Sequence, residues 1–235
     1  MPENSKISAK LKRVLLFSIF IIPTVLCFAF YIFMIRKPFL ENPAGLYKRL
    51  NYFGTKQLAS NGKDTIYTQL PDFQFINQDQ KKITPAEFKG KITVVALICT
   101  SCSTSCPKIS AQFFRMQKQL NYLKAFKIVA LSVNSELDSI QNLKRYSRMV
   151  HANPDFWSIA SGSRNDLLRF ASLGLEIIPA NNTEIAHQSN LYLIDKDLHI
   201  RGIYDGTSIS DVDRLIDEIK VLDAEYRVNK RLKGA

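Results

Sequence analysis

Ile92–Ile98 (ITVVALI) is a run of strand length, apolar except for Thr93, and it leads through Cys99 into Thr100-Ser101-Cys102-Ser103-Thr104-Ser105-Cys106-Pro107. A run with no polar alternation fits a strand covered on both faces, which restricts the chain to a sheet with helices packed against each side. Beyond the motif, Ile109, Phe113, Met116 and Leu120 recur at the spacing of one helical face. The two thiols therefore lie between a buried strand and a helix, where α/β sheets present reactive groups. The positive end of that helix lowers thiol pKa values, which favours nucleophilic attack and binding of soft metals. Pro107 suits a helix entry because its φ is fixed and it has no N–H to satisfy there.

The remaining pattern extends the alternation. Leu70–Ile76 and Lys81–Thr84 around Asn77–Gln80 read as a hairpin, and Thr84-Pro85-Ala86-Glu87 as a capping box opening a short helix. Then follow a strand over 126–133, a helix over 139–150, a strand at 156–159 and a helix over 164–173. Asn190–Ile194 and Leu198–Tyr204 flank the turn Asp195–Asp197, and a last helix from about Asp211 shows Val212, Leu215, Ile216 and Ile219 on one side. Two strand–helix units, a hairpin and a terminal helix give an α/β, thioredoxin-like order, with a central mixed sheet flanked by helices.

Val14 to Ile35 contains 22 residues without a charge, with Pro23 inside it, which is enough for a transmembrane helix. Arg36-Lys37 follows where a secretory leader would place small residues, so an uncleaved anchor is expected. Cys27, in mid-run, reads as a membrane-buried residue and not as a lipidation site. Lys6, Lys10, Lys12 and Arg13 crowd the near side, which predicts a cytoplasmic N-terminus and a domain across the membrane. The expected organisation is a tail at 1–13, an anchor at 14–35, a linker at 36–64, the folded domain at 65–225 and a basic, frayed tail at 226–235. Of the net charge of +11, +7 lies in residues 1–64, with ten Lys/Arg against three Asp/Glu. That distribution suits anionic headgroups and argues against nucleic-acid binding. The short, Lys-rich N-terminus is unlike a mitochondrial presequence, so a bacterial inner membrane with the domain in the periplasm is expected.

Cys102 and Cys106 are four residues apart, so on a continuous helix their sulfurs would share one face about 5–6 Å apart, within reach of one metal ion or a disulfide. Both are expected at an accessible loop. The spacing is one residue longer than a Cys-x-x-Cys redox pair, which shifts weight toward metal. Thiolates select Cu(I), zinc or iron–sulfur clusters, and with only Cys99 nearby a four-thiolate site is disfavoured. Cys99 reads as a small buried hydrophobe. His187, just ahead of the 190–204 hairpin, is the candidate third ligand; His151 and His199 read as structural. Asp138 opens a second capping box, Asp138-Ser139-Ile140-Gln141.

Thr100-Ser101-Cys102 through Cys106-Pro107, with His187 roughly 80 residues on and ahead of Leu191-Tyr192-Leu193-Ile194-Asp195, resembles the signature of the Sco/SenC copper chaperones. The resemblance covers about residues 65–225, and the N-terminal anchor is similar to the topology of that family. It implies copper held by Cys102, Cys106 and His187 and delivered to the dinuclear copper site of cytochrome c oxidase, whose copper-bearing subunit would be the partner. It equally implies thiol-disulfide reduction of partner proteins by Cys102 and Cys106 acting as a redox pair. A peroxiredoxin-like peroxidase is a weaker third reading, because the motif lacks that arrangement of Thr, Cys and Arg. The chain departs from the family's D-P-x-x-D element: Asn134 and Ser135 replace Asp-Pro, and Asp138 matches the second acid.

Overall fold

The computed structural model describes residues 9–32, 50–58, 65–134, 138–178 and 188–233. The chain divides into two compact units, residues 49–227 and residues 1–48 with 228–235. In the latter, α1 (Ala9–Tyr31) carries exposed apolar side chains, among them Leu16, Ile19, Phe20, Val25 and Phe28. Among the described residues no helix is long and apolar enough to cross a membrane. Past Arg13 this helix offers Val14–Tyr31, about 27 Å at 1.5 Å per residue against a hydrocarbon core of about 30 Å. Residues 33–35 of the charge-free run lie outside the described residues.

The larger unit is built on a seven-stranded mixed sheet. Its strands are β3 (Phe75–Asn77), β4 (Lys82–Ile83), β5 (Ile92–Ile98), β6 (Phe126–Ser132), β7 (Trp157–Ser161), β8 (Asn190–Ile194) and β9 (Ile200–Asp205). Their order is β4-β3-β7-β6-β5-β8-β9, with β5, β6 and β7 parallel and the outer pairings antiparallel. The expected mixed sheet flanked by helices is therefore present. A separate two-stranded pairing joins β1 (Lys56–Leu58) to β2 (Thr65–Tyr67).

All seven residues of β5 are buried, Thr93 included, as a strand covered on both faces requires. Alternation along the strand splits its side chains between two cores. Ile92, Val94, Ala96 and Ile98 join Ile109, Phe113, Met116 and Leu120 of α3 (Ser105–Gln119), Trp157, and Val212, Leu215 and Ile219 of α6 (Ile209–Lys233). Val95 and Leu97 face Phe73, Phe75, Phe88, Leu167 and Phe170 on the other side. These come from the lead-in strand, α2 (Pro85–Phe88) and α5 (Arg164–Arg169), which continues as a π-helical turn over Phe170–Gly174. The remaining helix, α4 (Ile140–Met149), contributes Leu143 and Tyr146 to the first core.

Three local expectations need correction. Thr84 precedes α2, and Pro85 takes the first helical position, but the Thr84 hydroxyl makes no capping bond and Glu87 pairs with Lys91 at 3.2 Å instead. The expected linker at 36–64 is described only at 50–58, and there it is docked onto the domain. The guanidinium of Arg201 donates to the carbonyls of Leu50 (2.8 Å) and Asn51 (3.3 Å) while bonding Asp195 (3.1 Å) and Glu225 (3.2 Å). A buried Arg paired with its acid holds that segment through two of its backbone carbonyls. Residues 226–233, expected as a frayed tail, continue α6.

Candidate functional site

The first turn of α3 begins at Ser105, with Thr104 as its N-cap position. Cys102 therefore lies ahead of the helix and not on it, so the two thiols do not share a helical face as a continuous helix would have them do. The Cys102 sulfur accepts the backbone N–H groups of Thr104 and Cys106, part of the set that a helix leaves without internal partners. It also contacts Thr104 Oγ1 at 3.4 Å and Ser105 Oγ at 3.8 Å. With the Thr104 hydroxyl contributing most, these donors favour the anion and lower the Cys102 thiol from 9.0 to about 5. Cys102 is half-buried, and Ser101, Ser103 and Thr104 beside it are exposed.

Cys106 has the opposite environment. It was expected at an accessible loop, with burial of either sulfur counting against metal and redox use of the pair alike, yet its side chain is fully buried in the core. The reason is helical periodicity: Cys106 stands three residues before Ile109 and seven before Phe113, on the face that packs against β5. Burial is the main cause that pushes its thiol up from 9.0 to about 11, and a hydrogen bond to Cys102 also favours the protonated form. The backbone N–H of Cys99 donates to the Cys106 sulfur at 3.4 Å. All four cysteines are free thiols: Cys27 exposed, Cys99 and Cys102 half-buried, Cys106 buried. Cys99, expected as a buried small hydrophobe, is only half-buried at the margin of the core, with its own sulfur 3.1 Å from Ser101 Oγ.

Asp138 does not cap a helix. Ser139 does, accepting from the Asn142 N–H at 3.3 Å. The Asp138 carboxylate is buried and takes hydrogen bonds from Thr100 Oγ1, in the Cys loop, and from Ser132 Oγ, at the end of β6. It ties the loop entering the thiol pair to the neighbouring strand. The helix-start pattern concealed this role, and the signal that could have revealed it was Ser132 closing one apolar strand as Thr100 leaves the next. Thr104 was likewise overlooked, although the Ser/Thr density of the motif is what supplies donors to Cys102. Of the other candidates, His187 lies outside the described residues, as does Ser135. His199 packs edge-on against Tyr52 at 5.4 Å, and His151 lies 6.1 Å from the Phe114 ring, the structural roles expected of them. Among the described residues no group of three or more His, Cys, Asp and Glu side chains is placed to hold a metal ion. What the described residues bring together is an ionised, accessible thiolate hydrogen-bonded to a buried, protonated thiol.

Comparison with known proteins identifies the family. The family model for SCO1/SenC matches residues 63–222, which include the sheet, the cysteine loop and most of α6. A SCO1 protein homolog of Bacillus subtilis is 28% identical over 163 residues, spanning 67% of this chain and 84% of the relative. A SCO1/SenC family lipoprotein from Bacillus anthracis superposes with a TM-score of 0.59 at 28% identity, over 66% of this chain and 95% of that one. BsSco, described as a Sco-family cytochrome c oxidase assembly protein with a disulfide switch, gives 0.58 at 28% identity, over 68% and 96%. With the thiol pair at the strand-to-helix junction and the family match spanning the sheet that positions it, the chain belongs to the SCO1/SenC family.

Proposed function

We propose that this protein is a membrane-anchored copper carrier that binds its cargo through Cys102, Cys106 and His187 and passes it to the dinuclear copper site of cytochrome c oxidase. The observation that carries the reading is the thiol pair at the N-terminus of α3, one sulfur ionised at neutral pH and the other hydrogen-bonded to it. Two soft donors with an imidazole make an open, three-coordinate set suited to ligand exchange with a recipient. The register supports His187 as the third: β8 runs antiparallel to β5, with Ala96 opposite Leu191, so the chain enters β8 at the end of the sheet where β5 leaves for the Cys loop. Arabidopsis thaliana ScoI, a fold neighbour at 21% identity and TM-score 0.54, was solved with copper bound. The charge-free run at 14–35 would be the anchor, as a single-pass helix with the N-terminus cytoplasmic and the domain in the periplasm of a bacterium.

The same pair supports a second reading, thiol-disulfide reduction. In that scheme the Cys102 thiolate attacks a partner's disulfide, and one partner sulfur leaves as a thiolate. Cys106 then gives up its proton and attacks Cys102, which releases the partner's second thiol and leaves a Cys102–Cys106 disulfide. The split between an acidic outer thiol and a protonated inner one favours it, and BsSco is described as carrying a disulfide switch. His187→Ala separates the readings. In the full chain purified in detergent, copper per protein should fall steeply while reduction of a model disulfide persists. Copper binding that survives His187→Ala unchanged removes His187 from the ligand set, and loss of disulfide reduction in the same variant would count against independent thiol chemistry.

A further inference from the structure

A cavity of about 260 Å³ opens at the N-terminal ends of the three parallel strands. Its walls include Lys91, just before β5, Lys127, second in β6, Asp155, just before β7, and Lys81 and Lys82 from the β3–β4 hairpin, with Glu87 of α2 across from them. The cysteine loop leaves the other end of β5, a seven-residue strand about 20 Å long at roughly 3.3 Å per residue, so the cavity is a separate site.

Four ammonium groups here face two carboxylates, and the pairing leaves positive charge over. Glu87 is taken by Lys91 at 3.2 Å. Lys127 donates to the backbone carbonyl of Asp155, which supplies no countercharge. Lys81 and Lys82, both exposed, pair with no acid among the described residues. Bringing like charges around a concavity raises their mutual repulsion, and a dianion placed among them removes it. Burial is the main cause that holds the Lys127 amine below the ordinary lysine range; Lys91 adds to the lowering, and the Asp155 and Glu87 carboxylates oppose it.

We propose that this lysine-walled cavity binds a phosphate group, either free inorganic phosphate or the phosphate monoester of a headgroup. Lysines act as flexible point charges with rotatable donors, which suits the several equivalent oxygens of a dianion better than the two of a single carboxylate. The volume admits a group many times the size of one water molecule, for which about 10–15 Å³ suffices on this measure.

The test is isothermal titration calorimetry on the full chain in nonionic detergent, at low ionic strength and without phosphate or carboxylate buffers. Inorganic phosphate is one probe, and glycerol 3-phosphate, mimicking an ester headgroup, is the other. Lys127→Gln should weaken binding about tenfold, and Glu87→Gln, which frees Lys91, should tighten it a few-fold, each being the effect of one charge at close range. Lys118→Gln, on the far part of α3, should leave binding unchanged. Thermal unfolding checks that each variant is folded, and the exposed Lys82→Gln, expected to weaken binding, replaces Lys127→Gln if that variant is not. Tighter binding of glycerol 3-phosphate identifies a headgroup as the source, and tighter binding of inorganic phosphate identifies the free anion. No binding of either probe at millimolar concentration overturns the proposal, as does affinity indifferent to both charge changes.

Discussion

The pair at the head of α3 should be distinguishable by alkylation, and the best pH for the experiment follows from the site. With Cys102 lowered to about 5, half of it is thiolate at pH 5, whereas an ordinary thiol at 9.0 is ionised to about one part in 10⁴. Acidic thiolates are also poorer nucleophiles: with a Brønsted slope of about 0.45, four pH units cost roughly 60-fold in intrinsic reactivity. The two effects leave Cys102 about 80-fold faster than an ordinary thiol at pH 5 but within about a factor of two at pH 7. Discrimination therefore belongs at acid pH. Reduced full-length protein treated with iodoacetamide between pH 4 and pH 9, with the adduct located by fragment-ion mass spectrometry, should label Cys102 with a midpoint near pH 5 and Cys106 last, since that thiol is pushed up to about 11. Thr104→Val removes the largest contribution to the low value. A hydrogen bond to a charged group is worth about 1.5–3 kcal/mol when shielded, and the half-exposed Cys102 retains the lower part, so the midpoint should rise by about one pH unit. The plateau rate should rise about threefold at the same time, because the more basic thiolate is the better nucleophile. A Cys102 midpoint near 8–9, or Cys106 labelled first, would refute the assignment of the helix terminus and Thr104 as the activating groups.

Two further substitutions test the supports of this site and of the domain. Asp138→Ala leaves the buried Ser132 hydroxyl and the Thr100 hydroxyl without their acceptor and should cost about 2–3 kcal/mol in urea unfolding, with a broadened Cys102 alkylation profile as the loop loosens. A loss under 0.5 kcal/mol would show that the bond to Thr100 does not brace the loop. Arg201→Met strands the fully buried Asp195 and should cost about 3–5 kcal/mol, toward the lower end because Asp195 keeps the N–H groups of Asp197 and His199 at 2.9 Å. Proteolysis within residues 50–58 should accelerate in the same variant, and unchanged cleavage there would mean that Arg201 does not fasten the segment.

Periodicity decided which parts of this architecture were legible in advance. β5, β6 and the Ile109–Leu120 face of α3 were readable because apolar runs and three-to-four spacing report burial directly. Burial of Cys106 was readable by the same rule, since Cys106 continues the series backward from Ile109, but the chemistry of the motif drew attention to the loop. Side-chain hydrogen bonds are less legible. Asp138 and Thr84 each stand at the start of a capping pattern, yet Asp138 bonds across to another strand and the Thr84 hydroxyl caps nothing, because a local pattern does not state which distant group competes for the side chain. The docking of residues 50–58 rests in part on Arg201, 150 residues away along the chain, together with Ile200 and Glu176, and nothing in the turn-rich segment itself announces those partners.

The opposed environments of the two thiols also fix the proton balance of copper uptake. Thiolate, not thiol, is the ligand, so binding must remove whatever protons the pair still carries. Two ordinary thiols would release about two protons per ion at pH 7. Here Cys102 has already lost its proton and Cys106 retains one, so uptake should release about one proton per Cu(I) and stay near one from about pH 8 to pH 9.5, above the range in which an ordinary imidazole ligand would also shed a proton. The same balance governs disulfide exchange, in which Cys106 must give up that proton before it can resolve the mixed disulfide. Titrating a Cu(I) complex into weakly buffered, reduced protein with a pH indicator measures the number directly. A value near two would mean that Cys102 is not ionised in the resting protein, and a value near zero would mean that Cys106 stays protonated and does not bind the ion. A single proton, held by the inner sulfur alone, is what a site with one thiol on a helix terminus and the other in the core should release.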